Sequence, residues 1–248
     1  MSELQHPHAR SFESVAPLYE RTRPEYPPAA VAWLVERLGV DGTSTVLDLG
    51  AGTGKLTRAL VRVAARVVAV EPGPAMLAEL AGAVPQADAV LGAAEAIPLP
   101  DESVDAVVCG QSFHWFRREE ALPEIRRVLR QGRGLGLIWN LRHPDDELQG
   151  AVTALLGPFV PPGRESVPTS VEDLVAETFA DVARRTVCFE QELDADGLVA
   201  RVSSISFVAA ADAARQAELE RRLRELVAAR GGVVAFRYLT EAYVTFAV

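Results

Sequence analysis

The 248-residue sequence has two cysteines, one lysine and no long hydrophobic run. Cys109 and Cys188 are too few for a disulfide framework, and they form no Cys-x-x-Cys or Cys/His cluster, so we expect a reducing compartment and no metal site. No apolar stretch approaches the ~20 residues of a membrane helix, and the polar N-terminus is unlike a signal peptide. We therefore expect a cytoplasmic protein that has no membrane partner.

Positive charge is also scarce, since 25 Lys and Arg residues stand against 34 Asp and Glu residues, a formal net charge of -9. A protein of this charge binds phosphate backbones poorly, so nucleic acid is not an expected partner. The contents of hydrophobic residues, 49%, and of charged residues, 24%, are typical of a globular protein. The length suits one elaborated domain or two small ones.

Residues 44–140 alternate short apolar strands with amphipathic helices, which predicts βαβ units and a largely parallel sheet. The strands are predicted over residues 45–49, 67–70, 89–91, 104–109 and 135–139. The helices are predicted over residues 55–63, 74–81 and 119–130, and Gly132 and Gly134 are predicted to stop the last of them.

Both flanks of this core are predicted to be elaborations. Residues 12–38 have a helical pattern that several prolines interrupt near residues 23–27, so we expect residues 1–43 to form a jointed helical lid. Residues 141–248 are expected to form a C-terminal insertion and the last strands. They hold a charged helix over 211–230 and two strands over 182–189 and 240–248, of which the final one is expected to join the sheet antiparallel.

The most informative motif is Asp48-Leu49-Gly50-Ala51-Gly52-Thr53-Gly54-Lys55, where the first predicted strand gives way to a helix. Glycines here allow a ligand to approach the backbone closely. Leu56 stands where a P-loop needs Ser or Thr, and the spacer is too short, which disfavours ATP and GTP. Lys55 replaces the third glycine of a dinucleotide fingerprint, which disfavours NAD. Glu71, seventeen residues after Gly54, is placed to accept hydrogen bonds from both hydroxyls of an adenosine ribose.

With four further blocks this loop resembles the class I S-adenosylmethionine-dependent methyltransferases. The blocks are Val70-Glu71-Pro72, Met76-Leu77, Ala94-Glu95-Ala96-Ile97-Pro98-Leu99 and Pro100-Asp101-Glu102-Ser103-Val104-Asp105. The resemblance implies an α/β, Rossmann-like mixed seven-stranded sheet with helices on both faces, an N-terminal helical lid and a C-terminal insertion. Residues 12–27 and Gln111-Ser112-Phe113-His114-Trp115-Phe116 are similar to the trans-aconitate methyltransferase-like branch, whose members act on small molecules.

The resemblance implies S-adenosylmethionine as the cofactor and residues 44–140 as the core that binds it. The residues expected to contact it are Tyr19, Arg23, Asp48, Gly50, Ala51, Gly52, Gly54, Glu71, Pro72, Met76, Ala94, Glu95 and Gln111. Tyr19 and Arg23 would hold the methionyl carboxylate or an anionic substrate, with a surface salt bridge as the alternative for Arg23. Many family members carry Asp where this chain has Ala93, so adenine recognition is expected to use the backbone near Ala94 and Glu95.

His114 is the candidate general base, because it follows the fourth predicted strand and its ordinary pKa of ~6.5 suits proton transfer. The alternative is a structural cap or a cofactor shelf formed with Trp115. A hydroxyl acceptor needs a base during methyl transfer, whereas a carboxylate does not. The residues expected to line the acceptor pocket are Tyr26, His114, Trp115, Trp139, Asn140 and Arg142, with residues 201–207 contributing from the insertion.

The sequence therefore predicts a methyltransferase that acts on an oxygen of a small molecule by in-line displacement, as a monomer or homodimer. In-line transfer requires no covalent enzyme residue and no metal. Two alternatives remain open at this point. One is an NAD-dependent oxidoreductase, and the other is a regulatory protein that binds S-adenosylmethionine without catalysis.

Overall fold

The computed structural model describes residues 22–160, 171–175 and 178–247. The helices are α1 (Pro28–Leu38), α2 (Lys55–Leu60), α3 (Pro74–Ala83), α4 (Arg118–Val128), α5 (Glu147–Leu156), α6 (Val171–Val175), α7 (Ala195–Ser203), α8 (Ser206–Ala209) and α9 (Ala213–Ala228). The strands are β1 (Thr45–Leu49), β2 (Arg66–Glu71), β3 (Asp88–Leu91), β4 (Val104–Gly110), β5 (Leu129–Arg142), β6 (Phe179–Asp194) and β7 (Val233–Ala247). Single 3-10 turns cover Phe113–Trp115 and Gly157–Phe159.

The strands form one seven-stranded sheet in the order β3-β2-β1-β4-β5-β7-β6. Strands β1 to β5 pair in parallel, whereas β7 pairs antiparallel with both β5 and β6. The predicted mixed seven-stranded sheet is therefore confirmed, as is the antiparallel entry of the last strand. Helical crossovers connect the parallel strands, as such connections require.

Strands β1, β2 and β4 are buried on both faces of the sheet, whereas β3 at its edge is partly exposed. Along β1, Val46 packs into one hydrophobic cluster with Leu34 of α1 and Leu60 of α2. The next residue, Leu47, packs into a second cluster with Ile125 of α4. Neighbouring side chains of a strand point to opposite faces, so the continuous apolar character of β1 reflects burial on both sides.

The end of α4 differs from the prediction, because the helix ends at Val128 and β5 begins at Leu129. Gly132 and Gly134 do not stop a helix and lie within β5. Leu129 pairs with Val104 and Gly134 with Ala106, so β5 accommodates extra residues as a bulge, which the φ of +72° at Gly132 permits. A Cβ at Gly134 would lie 2.7 Å from the carbonyl oxygen of Thr245, so close approach of β7 requires this glycine.

The C-terminal part of the chain forms a cap over one end of the sheet. A third hydrophobic cluster packs α5, α7 and α9 against β6 and β7, with Leu198, Leu223 and Phe236 among its most buried members. Both strands are longer than predicted, 16 residues in β6 and 15 in β7. Strand β5 likewise continues to Arg142, so the predicted pocket residues Trp139, Asn140 and Arg142 lie within the strand and do not follow it. Long antiparallel pairing with β7 holds them there.

The N-terminal region is described only from Thr22 onward. Helix α1 begins after Pro27, and residues 24–27 are not helical, which agrees with the predicted break. Proline has a fixed φ and suits the first turn of a helix, so Pro28 starts α1 where the chain turns. The predicted site residue Tyr19 lies outside the described residues. Within the described ranges, no helix combines the length and the apolar character needed to cross a bilayer.

Candidate functional site

The glycine loop joins β1 to α2 through three glycines with positive φ, Gly50 at +69°, Gly52 at +58° and Gly54 at +89°. A Cβ at Gly50 would lie 2.6 Å from the Cβ of Ser112, and one at Gly54 would lie 3.0 Å from Leu80 Cγ. These two glycines let the loop pack against its neighbours. A Cβ at Gly52 would meet no described atom within 4 Å, so this glycine borders open space. The loop therefore presents bare backbone to a ligand at Gly52.

Glu71 ends β2 beside this open face and is mostly buried. Its Oε2 accepts a hydrogen bond from the Gly52 N–H at 2.9 Å, and its Oε1 accepts one from the Gly73 N–H at 2.9 Å. The two bonds fix the carboxylate between the glycine loop and the loop after β2. Each carboxylate oxygen can accept more than one hydrogen bond, so Glu71 can also accept from ligand hydroxyls.

Asp48 lies beneath the glycine loop with an exposure of only 1%. Its Oδ2 accepts a hydrogen bond from the Thr57 hydroxyl at 2.6 Å, while no described residue donates to its Oδ1. Burial raises the pKa of Asp48 to about 7, against the opposing effect of the Thr57 hydroxyl. A buried oxygen that lacks a donor is uncommon in proteins and indicates a place where a ligand can supply one.

The loop after β3 is fixed to α4 by hydrogen bonds. Glu124 accepts the Ile97 N–H at 2.9 Å, and Arg127 donates to the carbonyl oxygens of Leu99 and Ile97 at 2.8 and 2.9 Å. The adjacent Arg127 guanidinium also holds the pKa of Glu124 below its usual value. Glu95 accepts the Arg117 N–H at 2.8 Å, so its carboxylate helps to fix the same loop. Its predicted contact with adenine stays a prediction.

Met76 and Ala94 are buried near these two loops, and Pro72 is half-buried. Met76 lies in the first turns of α3, and the Cβ position of Gly73 is 3.8 Å from its Cβ. The structure thus brings together the glycine loop, the end of β2 and the loop after β3 at one edge of the sheet. This is the carboxyl edge of the parallel strands, where ligands bind in open α/β sheets.

His114 lies in the turn after β4, and its side chain is exposed. The Trp139 Nε1–H donates a hydrogen bond to His114 Nδ1 at 3.3 Å, and the rings of His114 and Trp115 are 4.8 Å apart. An indole N–H can only donate, so Nδ1 is the acceptor and neutral His114 carries its proton on Nε2. The ring nitrogen that could accept a proton, Nδ1, is therefore already hydrogen-bonded to Trp139.

Gln111 connects the ends of β4 and β5. It has a φ of +58°, which is uncommon for a residue other than glycine and is typical of functional sites. Its N–H donates to the Ile138 carbonyl at 3.0 Å, and its side-chain Nε2 donates to the Asn140 carbonyl at 2.9 Å. Asn140 Oδ1 in turn accepts the Thr240 hydroxyl at 2.7 Å, which ties β7 to the same place.

A small cleft opens between the glycine-loop side of the sheet and the cap. Its lining residues come from the segment before α1, the start of α2, the turn after β4, β5, α7 and β7: Arg23, Pro24, Tyr26, Lys55, Gln111, Asn140, Arg201 and Tyr238. Of the predicted site residues, Arg23, Tyr26, Gln111 and Asn140 line this cleft, whereas His114, Trp115, Trp139 and Arg142 do not. Glu25 forms ion pairs with Lys55 and with Arg58 at its rim.

Tyr238 was missed by the sequence reasoning, and Arg201 was named only as the start of a stretch. Tyr238 lies in the middle of β7, directly opposite Arg142 of β5. Its hydroxyl accepts a hydrogen bond from Arg201 Nε at 3.0 Å. No local pattern marks these residues, because strand pairing and the docking of α7 bring them together.

The comparisons with known proteins agree with this geometry. Residues 47–135 match the family model described as Methyltransferase domain. An uncharacterized methyltransferase from Mycobacterium tuberculosis is 42% identical over 96% of this chain and 94% of its own length. The malonyl-[acyl-carrier protein] O-methyltransferase of Methylococcus capsulatus is 43% identical, but over only 35% of this chain and 34% of its own. The first likeness therefore includes the cap, whereas the second covers only a fraction of each chain.

A solved structure extends the likeness to the fold. A protein assigned as a type II methyltransferase from Anaeromyxobacter dehalogenans superposes with a TM-score of 0.67 and 26% sequence identity. The match covers 90% of this chain and 97% of that one. The seven-stranded sheet and its helices thus have the class I methyltransferase architecture.

Proposed function

This chain belongs to the methyltransferase family, and we propose that it transfers a methyl group from S-adenosylmethionine to an oxygen atom of a small molecule. The observation that carries the proposal is the position of Glu71. Its carboxylate is fixed by the N–H groups of Gly52 and Gly73 next to the open face of the glycine loop. A ribose diol is the group that such a carboxylate binds at the end of a second parallel strand.

The residues at this edge fit the cofactor in size and chemistry. Glu71 would accept the ribose hydroxyls, and the unpaired Oδ1 of Asp48 would accept a further donor below the loop. Buried Met76 and Ala94 would provide an apolar surface for the adenine ring. When bound, S-adenosylmethionine supplies a methyl group that its sulfonium already activates. The residues of the chain then have to orient the acceptor, which by alignment alone can lower the barrier by several kcal/mol.

The oxygen acceptor is supported by the arrangement around His114. Trp139 donates a hydrogen bond to Nδ1 of His114, and Nε2 carries the proton. In this arrangement neither ring nitrogen is ready to accept a proton from an acceptor molecule. A carboxylate is ionised near neutral pH and needs no base, so it suits this site better than an alcohol. We propose that His114 and Trp139 fix the turn after β4 and, through this turn, position the acceptor. The resemblance of residues 12–27 and 111–116 to the trans-aconitate methyltransferase-like branch supports a small-molecule acceptor.

Titration calorimetry with S-adenosylmethionine, S-adenosylhomocysteine and NAD tests the cofactor. We expect both adenosyl ligands to bind and NAD to give no heat, because Lys55 occupies the position of the third fingerprint glycine. Heat from NAD alone would favour the oxidoreductase alternative. A panel of small carboxylic acids and phenols, assayed for release of S-adenosylhomocysteine, then tests the reaction. Cofactor binding without turnover of any acceptor would support the non-catalytic alternative.

A further inference from the structure

Two arginines lie near Tyr238 of β7, and one of them, Arg201, lines the cleft. Arg201 of α7 is only 6% exposed, and its Nε donates to the Tyr238 hydroxyl at 3.0 Å. Its guanidinium carbon is 5.9 Å from the ring centroids of both Phe236 and Tyr238. Arg142 pairs with Tyr238 across the strands, and its Nη1 donates to the Thr153 hydroxyl at 2.9 Å. Arg201 therefore contacts Tyr238 directly, and Arg142 occupies the strand position opposite the same tyrosine.

Neither guanidinium forms an ion pair with a carboxylate of the described residues. Burial lowers the pKa of Arg142, and the charge of Arg201 lowers it further. An arginine nevertheless keeps its proton near neutral pH. The two positive guanidinium groups are withdrawn from bulk water, so they repel each other and lose hydration. This arrangement therefore costs electrostatic free energy. An anion between them would offset that cost.

The surrounding residues hold this pair in place. The ring of Tyr238 stacks on Phe189 at 4.9 Å, and its hydroxyl donates to Gln191 Oε1 at 3.3 Å. With the ring fixed on both sides, the Tyr238 hydroxyl sets the orientation of Arg201. Arg201 lines the cleft that also contains Gln111 and Asn140. In a surface ion pair, an arginine is already bound to a carboxylate of the protein. Arg142 and Arg201 have no such partner among the described residues, so they can bind the carboxylate of a ligand.

We propose that Arg142 and Arg201 bind a carboxylate group of the acceptor molecule, and this rests on the proposed function. Guanidinium groups have planar donor geometry that matches the two oxygens of a carboxylate. The sheet order separates this site from the one for the cofactor. Glu71 ends β2, whereas Arg142 is on β5 and Tyr238 is on β7, with β1 and β4 between β2 and β5. Of the two arginines, Arg201 lines the cleft, and Arg142 lies on β5 opposite Tyr238.

The test uses succinate as the probe and neutral succinamide as its matched control, titrated at constant ionic strength into protein saturated with S-adenosylhomocysteine. We expect succinate to bind and succinamide not to bind. Arg201→Gln and Arg142→Gln should each weaken succinate binding about 10-fold to 100-fold, the size expected for a charged hydrogen-bonded pair. Arg222→Gln, which removes an exposed arginine 3.8 Å from Glu218, should leave it unchanged.

Circular dichroism and thermal unfolding are measured for every variant and show whether the variant is folded. If Arg201→Gln does not fold, Arg142→Gln decides the question, since its contacts to the protein are fewer. Equal succinate affinity in the folded Arg201→Gln or Arg142→Gln variant and in the wild type would overturn the proposal. Binding of inorganic phosphate in place of succinate would overturn it as well.

A further experiment shows whether the arginines bind a carboxylate of the acceptor or the methionyl carboxylate of the cofactor. The variants are titrated with S-adenosylhomocysteine and with 5′-methylthioadenosine, which lacks the methionyl carboxylate. If Arg201→Gln weakens S-adenosylhomocysteine alone and spares succinate, the pair holds the cofactor and the proposal is wrong. If no adenosyl ligand binds the wild type, the proposed function fails, and succinate binding to the free protein still tests the arginine pair.

Discussion

Two regions at the carboxyl edge of the parallel strands differ in charge and in how the chain builds them. At the β1 and β2 end, the side chains are the carboxylates of Asp48 and Glu71, supplied by one short stretch of sequence. At the β5 and β7 end they are the guanidinium groups of Arg142 and Arg201, supplied by distant elements. An acidic end suits hydroxyl donors and positive charge, whereas a basic end suits an anion. One edge of the sheet thus carries two opposite electrostatic environments, each suited to a different ligand group.

The largest effects are expected at the acidic end, and Glu71→Ala is the first of them. Removing the carboxylate should weaken S-adenosylhomocysteine binding by about 2–4 kcal/mol, or about 30-fold to 1000-fold, because two charge-assisted hydrogen bonds are lost. Titration calorimetry measures the loss, with Glu79→Ala on the exposed side of α3 as the control. Unchanged affinity in a folded Glu71→Ala variant would show that Glu71 does not bind the ribose.

Gly52→Val tests the same end without removing a side-chain acceptor. Its side chain would occupy the open space beside the loop, and its φ of +58° adds strain. We expect a loss of affinity at least as large as that of Glu71→Ala. Thermal unfolding checks that the variant is folded, and cofactor binding at wild-type strength would place the ligand elsewhere.

The second effect is a pH dependence of stability at Asp48. Burial raises its pKa in the folded protein from 3.8 to about 7, so the folded state binds the proton more tightly than the unfolded state. The protonated carboxyl of Asp48 therefore favours the folded state at low pH, and this contribution to the free energy of unfolding is lost as the pH rises from about 4 to about 7. From pH 5 to pH 8 we expect the wild type to lose about 3 kcal/mol relative to Asp48→Asn, which has no charge to bury.

Denaturant unfolding of the wild type and Asp48→Asn at several pH values measures this difference. Asp145→Asn, at an exposed position, is the matched control and should follow the wild type. A constant difference between the wild type and Asp48→Asn across this range would mean that the carboxylate is ionised when buried. The acidic end would then hold a charge without a ligand present.

A smaller effect is expected where the acidic end is supported by α4. Arg127→Gln removes the donors to the carbonyl oxygens of Ile97 and Leu99. Because Arg127 is partly exposed, we expect a loss of about 1–2 kcal/mol in the free energy of unfolding, with weaker cofactor binding as the loop loosens. Arg126→Gln on the same helix serves as the control. Loss of stability with unchanged cofactor affinity would show that the loop after β3 does not contribute to cofactor binding.

The smallest effect concerns His114, between the two ends. If it positions the acceptor, His114→Gln should lower turnover only about 3-fold to 10-fold and leave the pH profile unchanged. Trp139→Phe removes the indole donor and should have an effect of the same size. A loss of about 10²-fold to 10⁴-fold that recovers at high pH would instead identify His114 as a general base.

The acidic end could be predicted from the sequence because its parts are neighbours along the chain. Gly50, Gly52 and Gly54 occur with Asp48 in one turn, and the spacing to Glu71 follows from one βαβ unit. The five parallel strands were predicted for a similar reason, since each contains a short apolar run, and in β1, β2 and β4 this run is buried on both faces. The predicted ends of these strands were less accurate, and the predicted β5 was too short by several residues at each end.

The basic end could not be predicted in the same way. Tyr238 reads as an ordinary strand residue, and its position depends on the register that sets it opposite Arg142. Gly132 and Gly134 were misread because a glycine after a helical pattern usually stops the helix. The close contact between Gly134 and Thr245 depends on a strand more than a hundred residues later. Long-range pairing of this kind leaves no local pattern in the sequence.

The position of β7 in the sheet also constrains how the protein is made. Strand β6 pairs in the sheet with β7 alone, and β7 is synthesised after it. Until then, β6 and the outer edge of β5 both lack their partner, and an unpaired edge can pair with another chain. Contacts this distant in sequence form slowly. We therefore expect aggregation during expression to be governed by the arrival of β7, and the glycine-loop half to acquire its structure first.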